Sequence, residues 1–139
     1  MKKMMSAIAI AVCVAGPSYA MDSLSQFEWK NRVLLVFGNA NDAKLKQQIQ
    51  VLKVQDQELA AREMVVIQIS GEEVHAVYGQ VNRIDAAKLR AVANADGRRF
   101  QAVLVGKDGS VKLRSSRVIG NVEMFDLIDR MPMRRGNQG

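Results

Sequence analysis

The residues of this chain best suited to chemistry by type and spacing are basic. Lys107, Lys112 and Arg114 lie close together in sequence, and Arg134 and Arg135 adjoin near the C-terminus. Arg98, Arg99 and Arg117 add to the group. Guanidinium forks bind carboxylates and phosphates bidentately, and an ammonium adds a point charge. If the segments carrying them converge, they form a positive surface for an acidic partner. The plainer reading is a solvated surface with Asp108, Asp126 and Asp129 as local counter-charges. His75 is the single histidine, and without a cysteine or second histidine beside it no metal site of usual composition can be built. A cysteine-independent enzyme with a site near Lys107, Asp108 or His75 is the alternative function, although no nucleophile can be assigned to it. Ser-His-Asp patterns, phosphate-binding glycine loops and zinc-protease motifs are missing. No cofactor, metal or catalytic residue is assigned.

These groups need elements to position them. Arg32–Phe37 and Met64–Ile69 are apolar runs without alternation, as expected for strands covered on both faces. Between them, Gly38–Asp42 is turn chemistry, with Asn41 or Asp42 as helix cap. Ala43–Ala61 places Leu45, Ile49, Leu52 and Leu59 on one helical stripe. Lys44, Lys46, Gln48 and Gln55 cover much of the remainder. Val74–Tyr78 is a candidate short strand within an otherwise irregular Ser70–Arg83 segment. Asp85 caps a helix at Ala86–Asn94. Phe100–Val105 is the third apolar strand, and Gly106–Gly109 turns into Ser110–Arg114. There Val111 and Leu113 alternate with Lys112 and Arg114. Asn121 caps a final helix, Val122–Met131, which Pro132 stops. Phe27 and Trp29, ahead of the first strand, are expected to pack under an edge.

The order is a βαβ unit followed by an α-ββ-α unit: an α/β fold with a four-stranded, thioredoxin-like sheet. Thioredoxins carry a Cys-x-x-Cys pair at the turn after the first core strand, where the helix N-terminus lowers the thiol pKa. This chain has Gly38-Asn39-Ala40-Asn41-Asp42 there, and arginines precede Phe100 where such folds commonly have a proline. Thiol-disulfide or peroxidase chemistry is therefore not expected, since asparagine forms neither thiolate nor mixed disulfide. The segments FEWKNRVLLVFG, AVLVGKDGSVKLR and LIDRMPMRR resemble a family of exported bacterial proteins catalogued as a domain of unknown function, number four-one-seven-four. Its relatives include domains of vertebrate sushi-repeat-containing extracellular proteins. The resemblance covers essentially the whole chain after residue 20 and implies a thioredoxin/peroxiredoxin-like fold with no established activity.

The N-terminus reads as an export signal. Lys2 and Lys3 precede the apolar Ala7–Ala15, Gly16-Pro17 breaks the helix, and Ser18-Tyr19-Ala20 suits cleavage after Ala20. That gives residues 1–20 as signal peptide, 21–133 as one domain and 134–139 as a basic flexible tail. Cys13, the single cysteine, would leave with the signal. The expected location is the periplasm or outside the cell, with no transmembrane anchor after processing. The chain carries a formal charge of +6, concentrated late: residues 98–139 hold nine basic and four acidic groups. With aromatics at 5% there is little to stack on bases, so a nucleic-acid partner is not expected. The resulting expectation is a non-catalytic binding module. It would contact a protein or an anionic envelope component through Lys107, Lys112, Arg114, Arg134 and Arg135.

Overall fold

The most apolar segments of the sequence occupy the centre of the sheet. In the computed structural model, which describes residues 24–131, β1 (Arg32–Phe37) is buried along its whole length. It pairs in parallel with β2 (Met64–Ser70), Leu34 opposite Val66, and antiparallel with β4 (Gln101–Val105), Leu34 opposite Leu104. The outer strands are β3 (Glu73–Tyr78) beside β2 and β5 (Val111–Ser115) beside β4, giving the order β3-β2-β1-β4-β5. Alternate β1 side chains feed two cores. Leu34 and Val36 face α1 (Ala43–Lys53), α2 (Asp56–Ala61) and α4 (Asn121–Asp129) through Leu45, Leu52, Leu59, Met124 and Phe125. Val33, Leu35 and Phe37 face α3 (Ala86–Ala93) and Phe27 of a short 3-10 turn, Ser25–Phe27. The result is a mixed α/β three-layer arrangement, compatible with a thioredoxin-like fold to which β3 adds an edge. Among the described residues no helix is long and apolar enough to cross a membrane. The expected signal at 1–20 and the expected tail at 134–139 lie outside the described residues.

Several expectations need correcting. The sheet has five strands, because Glu73–Tyr78 pairs with β2 after a two-residue turn at Gly71-Glu72. The helix expected over 43–61 is two, interrupted at Val54-Gln55. There the chain tightens, with Gln55 N–H bonded to Leu52 O at 3.0 Å, before the acidic first turn of α2. Asn121 does not cap α4: Gly120 holds the cap position, and Asn121 is the first helical residue. Trp29 is 61% exposed while Phe27 is buried. Its positive φ of 64° and its N–H bond to Lys107 O at 2.8 Å turn the indole outward.

Gln48 breaks the expected exposed face of α1. It is fully buried, with Nε2 donating to the Ile119 carbonyl at 3.0 Å and Oε1 accepting from the Ile119 N–H at 2.8 Å. A side-chain amide thus satisfies both main-chain groups of the buried loop residue ahead of α4. Asp42 caps α1 as anticipated, accepting from Lys44 N–H at 2.8 Å and Leu45 N–H at 3.4 Å.

Candidate functional site

The expected cluster on the β4–β5 hairpin is largely neutralised. Lys107 does not stand out at the hairpin tip. Its side chain folds under the sheet, where it is buried and ion-paired with Glu63. Lys112 pairs with Asp108 at 3.2 Å. Asp108 also accepts from Ser110 N–H at 3.0 Å and Ser110 Oγ at 2.8 Å. Partial burial opposes its ionisation, but the bonds from Ser110 and Lys112 outweigh that and hold its carboxyl below the usual range. A bulge pairs Leu104 with Leu113 but Val105 with Val111, so Lys112 is the extra residue and the alternation through β5 is broken. Arg114 leaves the hairpin altogether and donates to Ala93 O at the end of α3. Arg134 and Arg135 lie outside the described residues.

Near the start of β2, Arg62 holds another ionic group together. It pairs with Glu58 at 2.8 Å and Asp129 at 2.9 Å and stacks 4.4 Å above the Phe125 ring. Burial disfavours the guanidinium, but the two carboxylates prevail and raise its pKa above the ordinary arginine value. This network ties α2 to α4.

A group of five cations without ion pairs lies at the opposite end, beyond the carboxyl ends of β1 and β2. The backbone at Gly38 closes on Phe100: a Cβ at Gly38 would lie 3.5 Å from Phe100 Cα. Arg98 and Arg99 therefore border the β1–α1 turn. Lys44, in the first turn of α1, reaches across to Ser116 O at 3.3 Å and brings Arg117 alongside. Arg114 approaches from the α3 side. Among the described residues none of Lys44, Arg98, Arg99, Arg114 and Arg117 makes an ion pair. The two nearest carboxylates are engaged by main-chain donors. Asp42 caps α1, and Asp96 accepts from Arg98 N–H at 2.8 Å and Arg99 N–H at 3.4 Å. Those backbone bonds, helped by the two arginine charges, lower the Asp96 pKa. Open α/β sheets commonly bind ligands at this end of their strands.

The candidates for an enzymatic site do not meet. His75 lies on edge strand β3, whereas Lys107 and Asp108 lie in the turn after β4, with β2 and β1 between. A groove of about 860 Å³ lies by the start of β2 and the end of β3, and two of its side-chain amides, Gln26 and Asn31, are tied to the main chain. Gln26 exchanges two bonds with the Asn82 main chain, and Asn31 donates to Glu63 O. Among the described residues no group of three or more potential metal ligands forms.

Lys44 is the site residue that sequence reasoning treats only as surface cover. A signal was available: a lysine in the first turn of a helix opposes the macrodipole, and α1 has no acidic residue there to offset it.

A family described as Domain of unknown function (DUF4174) matches residues 23–137. No solved structure matches the chain.

Proposed function

We propose that this chain, which belongs to the DUF4174 family of domains of unknown function, is a non-catalytic binding module of the periplasm or cell exterior. It holds a protein or an anionic envelope component through a basic surface. The surface is centred on Arg98, Arg99, Arg114 and Arg117 with Lys44; Lys112, paired with Asp108 by the β4–β5 turn, lies outside it. The observation that carries the reading is the distribution of counter-charges. Arg62, Lys107 and Lys112 are each paired with a carboxylate, whereas Lys44, Arg98, Arg99, Arg114 and Arg117 are not, and Asp42 and Asp96 beside the latter group are bound by backbone N–H groups. Unpaired arginines keep their fork geometry available for carboxylates or phosphates. Export is supported by the basic, apolar and small-residue order of residues 2–20. The dispersal of His75, Lys107 and Asp108 weighs against the enzymatic alternative.

Photo-crosslinking amino acids at positions 99 and 117, with position 58 at the far end as control, test this in producing cells. Adducts are expected at 99 and 117 only, and should disappear when Arg98 and Arg114 are replaced with glutamate. Equal labelling at 58, or capture that survives the charge reversal, would overturn it.

A further inference from the structure

The two edges of the sheet are built differently. Edge strands invite pairing with another chain and are commonly blunted by lysine, other charges, proline or bulges. β5 has such protection, with Lys112, Arg114 and the bulge at Leu104/Val105. β3, with the sequence EVHAVY, has no lysine, arginine or proline, its one acid is its first residue, and its own bulge, at Val77, lies beyond the regular segment Glu73–Ala76. The β2–β3 connection is a two-residue turn with Gly71 at φ 62°, so its flanking residues Ser70 and Glu73 form a hydrogen-bonded pair. By alternation, His75 also directs its main chain toward β2, while Val74 and Ala76 direct theirs outward. No turn, loop or cap supplies a main-chain bond to Val74 or Ala76.

We infer that β3 pairs antiparallel with β3 of a second copy of this chain, about a twofold axis through His75, joining the two sheets. This does not rest on the binding surface proposed above. In that register His75 faces its symmetry mate in a non-hydrogen-bonded pair. Val74 faces the partner copy's Ala76 on either side, and each such pair exchanges two main-chain bonds. Three features make the edge self-complementary. Val74 and Ala76 border a groove of about 330 Å³ with Val81 and Ile84, and the second copy brings the same two small apolar side chains to its rim. Glu73 faces Val77 of the other copy, so the two acids of the edge stay apart. Finally, α1 packs over β3 with Lys53 at the Tyr78 end, because α1 and β3 both run counter to β1. The antiparallel mate therefore sets each exposed Glu73 beside the other copy's exposed Lys53, and neither is ion-paired within its own chain.

The test uses full-length chain carrying Cys13→Ser. Facing residues of a non-hydrogen-bonded pair have Cα atoms about 4.5 Å apart, within disulfide range. His75→Cys should therefore oxidise to a covalent dimer at least about tenfold faster than the exposed control Val122→Cys, and Ala76→Cys should not. Sedimentation should show a concentration-dependent dimer for the parent. Ala76→Lys should convert it to a monomer with unchanged far-ultraviolet circular dichroism. A parent that stays monomeric into the hundreds of micromolar, or a His75→Cys rate equal to the control, overturns the pairing. Dimerisation that persists in Ala76→Lys does so too. Ala76→Cys crosslinking as fast as His75→Cys overturns the register.

Discussion

Replacing Gln48 with leucine should be among the most damaging single changes to this domain. Leucine matches glutamine roughly in size and suits a helix at least as well, so neither propensity nor packing volume predicts harm. The structure predicts it because Gln48 supplies the hydrogen bonds to both the N–H and the C=O of buried Ile119. Each main-chain group left unpaired away from water costs about 1–3 kcal/mol. Two such groups give about 2–6 kcal/mol, of which extra apolar burial by leucine returns roughly 1 kcal/mol. A net loss of about 1–5 kcal/mol is large against a total of roughly 5–15 kcal/mol. It should lower the melting temperature by about 5 °C or more. Urea unfolding followed by far-ultraviolet circular dichroism measures it directly. Gln48→Glu provides the internal control: it retains an acceptor for the Ile119 N–H but presents a carboxylate to the Ile119 carbonyl. Its deficit should shrink on acidification, when the protonated acid can donate. A Gln48→Leu loss under about 0.5 kcal/mol, the range of ordinary surface changes, would refute the reasoning.

The remaining expectations follow the same logic of local geometry. Gly79→Ala should destabilise the chain clearly more than Gly71→Ala in the same urea assay. Both have positive φ, but a Cβ at Gly79 meets Val65 Cγ2 at 3.0 Å, whereas at Gly71 it meets nothing within 4 Å. Asp96 and Asp108 have lowered folded-state pKa values. Their contribution is therefore present above the ordinary carboxylate value, about pH 4, and is lost as pH falls through the lowered values. Asp108→Asn should flatten the acid limb of the stability profile, and the Ser110 amide resonance should report the same transition. The crosslinking and charge-reversal outcomes described above test the basic surface, and the disulfide rates and sedimentation test the β3 edge.

The apolar strands were readable because continuous burial leaves an unmistakable pattern: Val33–Phe37, Met64–Ile69 and Phe100–Val105 all form the interior of the sheet. β3 was harder to see. As an edge it is half exposed, and its only strong cue is the Gly71-Glu72 turn that sets its pairing with β2. The break at Val54-Gln55 was invisible to helical periodicity, since Leu59 stays on the same buried face across it. Gln48 could not have been found by polarity, which places it on the solvent side. Only the approach of Ile119, 71 residues away, gives it a buried role.

The basic surface shows how far charge counting reaches. Excess positive charge in the last third of the chain was legible, but which charges remain unpaired depends on where their counter-charges fold. Lys107 is adjacent to Asp108 in sequence, yet it pairs with Glu63, from another strand's entry. Asp108 takes Lys112 instead, across the hairpin bulge. Asp96 precedes two arginines, yet it binds their backbone N–H groups and leaves both guanidinium groups unpaired. A carboxylate used as a turn or helix cap keeps its negative charge but is fixed in place. It lowers the net field of the surface without occupying the arginine forks. The surface proposed at the carboxyl end of β1 therefore sets exposed Arg98, Arg99 and Arg117, none of them ion-paired among the described residues, beside carboxylates already fixed by main-chain donors. That combination suits recognition of discrete carboxylate or phosphate groups more than diffuse attraction to any polyanion, because a contact between two planar forks depends on orientation while long-range attraction does not.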